Sequence, residues 1–89
     1  MPLYKVELIR SARKEFEVLP LEIRSKIIDA LFLLASNPHS DLLQIKKMRD
    51  KHDLYRVRIG DYRVVYEIRK QHLVVLVIKI GHRSDVYRR

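Results

Sequence analysis

The spacing of apolar and polar positions predicts one short strand followed by two helices in the first part of the chain. Residues 3–9 mix apolar and charged side chains with some alternation, which favours a short strand at or near a sheet edge. Ser11 is a plausible N-cap for a first helix from about Ala12 to Val18, which Pro20 ends. An apolar stripe at helical spacing then reaches Ala35, where a Ser-Asn-Pro run stops the second and longest helix.

The second part of the chain predicts a sheet. Residues 38–53 show no clear period and are interpreted as a connecting loop, with a helical turn at Leu42 to Ile45. Strands are predicted at 54–59, 62–69 and 73–80, and the short polar turns between them indicate a three-stranded meander. The last strand begins with six consecutive apolar residues, as expected for a central strand covered on both faces.

These elements define the fold class. The order β-α-α-β-β-β, with both helices before the meander, is typical of an α+β domain rather than an alternating α/β domain. We expect two N-terminal helices on one face of a small, twisted, mainly antiparallel sheet. Arg56 and Arg58 alternate with Tyr55, Val57 and Ile59, so both arginines should project from one face of their strand, and we place them on the uncovered face.

Length and composition limit the architecture. With 89 residues, 47% of them hydrophobic and 34% charged, the chain is expected to form one domain over 1–89. It has no cysteine, which excludes disulfides and thiolate metal sites and fits a reducing compartment, so we predict a cytoplasmic protein. We expect neither a signal peptide nor a membrane anchor, because the longest apolar run is far below the roughly 20 residues that span a bilayer.

The charge is concentrated in one half of the chain. The formal net charge is +8, and residues 46–89 contain 13 of the 19 basic side chains but only 5 of the 11 acidic ones. The whole excess therefore lies in this half, which indicates a polyanionic partner. A solvated basic surface that serves solubility is the alternative interpretation.

Three segments carry a family resemblance. They are LYRVR at 54–58, GDYRVVY at 60–66 and VIKIGHRSDVY at 77–87, and SARKEF at 11–16 is similar to the first helix of the same family. The chain resembles the RelE/ParE superfamily of bacterial and archaeal toxins over almost its whole length. The resemblance implies a toxin of a type II toxin–antitoxin system. RelE-type members cut messenger RNA in the ribosomal A site, whereas ParE-type members inhibit DNA gyrase, and fold alone does not decide between them.

The RelE pattern implies a set of site residues. Arg63, Arg83 and Tyr87 match its catalytic positions, and His82 is a further titratable candidate beside Arg83. Two substrate-binding positions that are lysines in the RelE pattern are arginines here, at 56 and 58. Arginine cannot accept a proton at cellular pH, so these two side chains are expected to bind phosphate. Lys46 and Lys47 are added to the phosphate-binding set because their loop is strongly basic.

Proton transfer is therefore assigned to other groups. Tyr87 is the leading base, although a phenol with a usual pKa of about 10 needs neighbouring guanidiniums to ionise readily. His82, with an ordinary pKa near 6.5, is the other candidate. Tyr87 could instead anchor the chain terminus, and the strand arginines could be a solvated face paired with Asp61 and Glu67.

The resemblance also implies partners. We expect a cognate antitoxin whose disordered segment folds over the toxin as an amphipathic helix or an added strand, with acidic groups facing the arginines. Further partners are the ribosome and its mRNA, and operator DNA bound through the antitoxin. No metal or other cofactor is expected, since clustered carboxylates are not apparent in the basic half. The alternatives are a ParE-like gyrase inhibitor that cuts nothing and a degenerate member that only binds its antitoxin.

Overall fold

The computed structural model describes residues 3–48 and 53–82, which form two helices and a five-stranded sheet. The elements in chain order are β1 (Lys5–Leu8), α1 (Arg10–Glu17), α2 (Leu21–Ser36), β2 (Gln44–Lys47), β3 (Leu54–Ile59), β4 (Tyr62–Arg69) and β5 (Val74–His82). Within these residues, no helix has the length and apolar character needed to cross a membrane.

The sheet has the strand order β1-β5-β4-β3-β2. β1 runs parallel to β5, and the three remaining pairs are antiparallel. The predicted α+β class, the meander β3-β4-β5 and the edge position of β1 are all confirmed. The bounds of β3 and β4 are those predicted, because both segments are rich in β-branched and aromatic residues and tight turns delimit them.

The prediction of a loop with a helical turn at Leu42 to Ile45 is wrong. These residues lead into β2, a four-residue edge strand that pairs antiparallel with β3, with Ile45 opposite Val57. Only Ile45 of this strand is half-buried. One apolar side chain produces no readable period, and the strand depends mainly on backbone hydrogen bonds to β3, so the sequence pattern does not reveal it.

Two further boundaries differ from the prediction. α1 begins at Arg10, so Ser11 lies inside the helix and is not its cap; Ile9 occupies the N-cap position without a side-chain hydrogen bond. The Ile9 N–H donates to the Val77 carbonyl at 3.0 Å, so pairing with the sheet fixes the start of the helix. β5 continues to His82, two residues beyond the predicted end.

The core lies between the helices and one face of the sheet. Its fully buried side chains come from α1, α2 and the strands β3, β4 and β5, namely Ala12, Ile27, Leu34, Val57, Val64, Tyr66, Ile68, Val75, Val77 and Ile80. The opposite face is more open. On β5, Val74 and Leu76 are only half-buried there, so the expected coverage of this central strand on both faces is not complete.

Tyr66 is the largest of the fully buried side chains. Its hydroxyl donates to the Pro38 carbonyl at 2.9 Å, and its ring stacks on Tyr55 with centroids 5.8 Å apart. Burial, reinforced by Tyr55, raises the pKa of this phenol well above its ordinary value, so it stays a protonated donor. Tyr66 is therefore a core residue, and Tyr55 packs against it as a half-buried residue.

Glu15 of α1 closes the open edge of β5. β1 pairs with β5 only as far as Val77, so β5 has no neighbouring strand on that side beyond this point. There the Glu15 carboxylate accepts the Ile80 N–H at 2.8 Å and the Lys79 ammonium at 2.8 Å. One side chain thus takes the place of a strand partner and joins the helix to the sheet.

Replacing Glu15 by alanine is expected to lower the free energy of unfolding by about 1–2 kcal/mol, because an edge amide and an ammonium both lose their acceptor. Urea denaturation followed by circular dichroism measures the change. Glu17→Ala is the matched control, since Glu17 is an exposed glutamate of the same helix. Equal losses in the two variants would contradict a special role for Glu15.

Candidate phosphate-binding groove

Three arginines project from the open face of the sheet. Arg58 on β3 lies directly opposite Arg63 on β4, and residues directly opposite each other share a face. Arg56 lies two positions before Arg58 on the same strand and therefore shares that face as well. The pairing register of β3 and β4 therefore places all three arginines on one face of the sheet.

β2 extends the group. Gln44 pairs with Arg58, and Lys46 pairs with Arg56. Together these side chains form a groove of about 300 Å³, lined by Gln44, Ile45, Lys46, Arg56, Arg58 and Arg63. Of the six described residues that line the groove, four are cationic and none is acidic, so the groove concentrates positive potential at the point where a substrate can enter it.

Arg63 forms the floor of the groove. Only 8% of it is exposed, although its guanidinium remains charged at any cellular pH. The β carbons of directly opposite residues lie about 5 Å apart, so Arg58 holds a second positive charge beside it. Both guanidiniums line the same groove, so an anion that enters it is attracted by two positive charges.

The turn after β3 orients Arg58. The Arg58 Nε donates to the Gly60 carbonyl at 3.2 Å, and Gly60 has φ +61, a conformation that glycine adopts readily. Farther along β4, Glu67 forms an ion pair with Arg69 at 2.9 Å. Glu67 is therefore engaged with an arginine of its own strand that lies outside the groove.

Two predicted site residues are not brought into the groove. Lys47 pairs with Tyr55 and so faces the other side of the sheet from Lys46. His82 pairs with Tyr62, with ring centroids 5.5 Å apart in an edge-to-face contact. Since Tyr62 precedes Arg63 on β4, strand alternation directs His82 to the opposite face. Both residues were predicted to belong to the site because they are close in sequence to Lys46 and Arg83. Neighbouring residues of a strand point to opposite faces of the sheet, so closeness in sequence does not place two side chains in the same site.

Arg83 and Tyr87 lie outside the described residues, and their roles stay predictions. The residue that sequence reasoning missed is Gln44, which lines the groove from β2. No sequence signal indicated it, because the single half-buried residue of β2, Ile45, gives no period from which the outer face of the strand could be predicted. Residues 3–48 and 53–82 contain no cluster of three or more His, Asp or Glu side chains that could hold a metal ion.

A second surface feature is apolar. A groove of about 280 Å³ lies between β1 and α2 and is lined by Tyr4, Val6, Ile28, Leu31, Phe32 and Ala35. Phe32 is 68% exposed and Ile28 is 43% exposed, which is high for large apolar side chains that lie together. Such a patch is typical of an interaction surface.

Comparison with known proteins places the chain in a family. Residues 6–87 match the family model for the ParE toxin of the type II toxin–antitoxin system parDE. The chain belongs to the RelE/ParE superfamily of toxins. Toxin RelE of Mycobacterium tuberculosis is 36% identical over 86 residues, which cover 96% of this chain and 87% of that protein. The mRNA interferase toxin RelE of Escherichia coli is 28% identical over 88 residues, which cover 94% and 90% of the two chains.

A solved structure agrees with the sequence comparison. The archaeal RelE–RelB complex from Pyrococcus horikoshii contains a chain that matches with a TM-score of 0.80 and 26% identity, over 91% of this chain and 96% of that one. The RelE/ParE fold expected from the sequence is therefore confirmed, and relatives of this toxin are found both alone and with an antitoxin.

Proposed function

We propose that this RelE/ParE toxin is a ribosome-dependent endoribonuclease that cuts mRNA in the A site and thereby inhibits translation. The observation that carries the proposal is the cationic groove, in which Arg58 and Arg63 lie directly opposite each other on the open face. The E. coli relative is named an mRNA interferase, which supports the same activity. The ribosome would hold the mRNA strand over the groove.

The reaction needs no outside nucleophile. The 2′-hydroxyl oxygen of one nucleotide attacks the adjacent phosphorus, and the bond from phosphorus to the 5′-oxygen of the next nucleotide breaks. A proton leaves the 2′-hydroxyl, and a proton is delivered to the departing 5′-oxygen. The products are a 2′,3′-cyclic phosphate and a 5′-hydroxyl, and DNA, which lacks the 2′-hydroxyl, is not cut.

The role of each groove residue in this reaction follows from its position in the groove. Arg63 and Arg58 bind the nonbridging oxygens of the reacting phosphate, where negative charge increases in the transition state. Arg56 and Lys46 bind a neighbouring phosphate and fix the register of the strand. Each guanidinium offers a rigid fork of donors but cannot accept a proton, so these residues stabilise charge and do not move protons.

Proton transfer is assigned to Tyr87, with Arg83 as a further charge-stabilising group, on the basis of the RelE pattern at these positions. His82 is given no part in this step, because its pairing with Tyr62 directs it away from Arg63. The proposed reaction uses no metal ion. A lining that is mainly cationic repels a divalent cation and supplies by itself the positive charge that a metal would bring.

The proposed partner of the toxin is a cognate antitoxin in the cytoplasm. The P. horikoshii relative was solved as a RelE–RelB complex. We place an amphipathic helix of the antitoxin on the apolar groove of β1 and α2, where Phe32 and Ile28 supply exposed apolar area. Through the antitoxin, the complex would also bind operator DNA.

The second candidate is inhibition of DNA gyrase without cleavage. It is favoured by the family model itself, which describes ParE toxins and matches residues 6–87. A basic groove is also compatible with a purely inhibitory contact. A member that has lost cleavage and only binds its antitoxin is the remaining alternative, since arginines replace the two lysines of the RelE pattern.

Primer-extension mapping of an mRNA on programmed ribosomes tests the proposal. We expect the wild-type toxin to cut within the A-site codon, RNA without ribosomes to be cut poorly, and Tyr87→Phe to cut at least about a hundredfold more slowly. Gyrase supercoiling is assayed in parallel. Inhibited supercoiling together with intact mRNA would replace the nuclease proposal by the ParE-like one, and an inactive protein that binds antitoxin would indicate the degenerate member.

A further inference from the structure

Gln44 lies at one end of a row of residues that crosses the open face perpendicular to the strands. Gln44 pairs with Arg58, Arg58 with Arg63, and Arg63 with Gly81. Neighbouring strands lie about 4.8 Å apart, so the strands that carry Gln44 and Arg63 are separated by about 9.6 Å. An RNA strand whose reacting phosphate is bound at Arg63 therefore places a flanking nucleotide near Gln44.

The chemistry of Gln44 differs from that of its neighbours. Among the six described residues that line the groove, it is the one uncharged polar side chain. Ammonium and guanidinium groups only donate hydrogen bonds, whereas an amide both donates and accepts. Phosphate oxygens only accept, so a phosphate leaves the amide oxygen of Gln44 unused. The edge of a base presents donors and acceptors side by side and satisfies both ends of the amide.

The strand that carries Gln44 is held from both sides. The segment before β2 is fixed by the buried Tyr66 hydroxyl, which donates to the Pro38 carbonyl at 2.9 Å. After β2, the Met48 N–H donates to the Leu54 carbonyl at 2.9 Å. A side chain on a fixed backbone loses less freedom on binding, which favours selective contact over general attraction.

We propose that Gln44 reads an adenine base in the nucleotide that flanks the reacting phosphate. Its Nε2 donates to N7 of adenine, and its Oε1 accepts from the N6 amino group. Unstacked bases of single-stranded RNA expose this edge to side chains. The inference rests on the proposed ribonuclease function and adds a base preference to it. Cytosine and uracil lack N7, and guanine presents O6 as an acceptor where adenine presents a donor.

The preference is measured by mapping cut sites across an mRNA library with randomised codons on programmed ribosomes. The wild-type toxin is expected to favour adenine over cytosine about fivefold at one position flanking the cleaved bond. Gln44→Ala should remove this enrichment, and Gln44→Glu should shift it toward cytosine, whose N4 amino group donates to a carboxylate. The readout is the base frequency among cut sites and is independent of the overall cleavage rate.

The matched control is Gln71→Ala. Gln71 is an exposed glutamine in the turn between β4 and β5, outside the groove, so its replacement should leave the adenine preference unchanged. An adenine preference that persists in Gln44→Ala would overturn the proposal. A wild-type toxin that cuts without any base preference at the flanking positions would overturn it as well.

A binding experiment separates this inference from the ribonuclease proposal. Fluorescence anisotropy compares short 2′-O-methyl RNAs, which cannot be cut, that differ only in one adenine or cytosine. We expect about fivefold tighter binding of the adenine form by the wild type and equal binding by Gln44→Ala. If this result appears with a toxin that does not cut on ribosomes, base reading by Gln44 stands and the nuclease proposal fails. Equal binding of both RNAs by the wild type would count against base reading.

Discussion

Replacing Arg63 by alanine is expected to slow mRNA cleavage on ribosomes by about a hundredfold to a thousandfold, the usual effect of removing one charge-stabilising donor from an active site. Arg63 is 8% exposed and lies on the floor of the groove, opposite Arg58. In this position solvent screens its charge weakly, so its interaction with the developing charge on phosphate is strong. Single-turnover cleavage of an A-site codon on programmed ribosomes measures the effect.

Arg69→Ala is the matched control for this prediction. Arg69 belongs to the same strand, and the alternation of β4 gives it the same face as Arg63, but it pairs with Glu67 outside the groove. It should cleave within about twofold of the wild type, since its loss removes only a surface ion pair. Arg63→Lys should be intermediate, because it keeps the charge but loses the two-pronged contact. Equal loss in the Arg63 and Arg69 alanine variants would indicate a nonspecific charge effect.

The sequence predicted those parts of the fold in which local pattern and tertiary environment agree. β3 alternates apolar and charged residues, so the common face of Arg56 and Arg58 followed from periodicity. β4 is apolar at most positions, and its bounds followed from its β-branched and aromatic residues and from the turns on either side. α2 was equally clear, because its apolar stripe has helical spacing and a proline precedes it.

The site was predicted only in part, because it depends on strand register. The pairing of Arg58 with Arg63 requires the hairpin turn at Gly60 to set which residues lie opposite each other. The sequence pattern did not predict β2, because a short edge strand needs only one apolar residue that faces the core. Gln44 belongs to β2 and was therefore missed as well. His82 was misplaced for the related reason that β5 extends two residues farther and carries its side chain to the helix-covered face.

Replacing each of two adjacent isoleucines of α2 allows the contribution of the helix to stability to be measured separately from its contribution to partner binding. Ile27 is fully buried in the core, whereas Ile28 is 43% exposed and lines the apolar groove. Ile27→Ala is expected to lower the free energy of unfolding by about 3 kcal/mol through lost burial and a residual cavity. For a chain of this length, that loss corresponds to a fall of roughly 10–20 °C in the melting temperature, measured by calorimetry.

Ile28→Ala should behave in the opposite way. Because Ile28 remains partly in water in the free toxin, its truncation should cost less than about 1 kcal/mol of stability, but it removes a contact from the surface proposed for the antitoxin helix. Antitoxin affinity, measured by isothermal titration with the cognate antitoxin, should fall about tenfold. Unchanged affinity in both Ile28→Ala and Phe32→Ala would exclude the apolar groove as the binding site and direct attention to the exposed edge of β2.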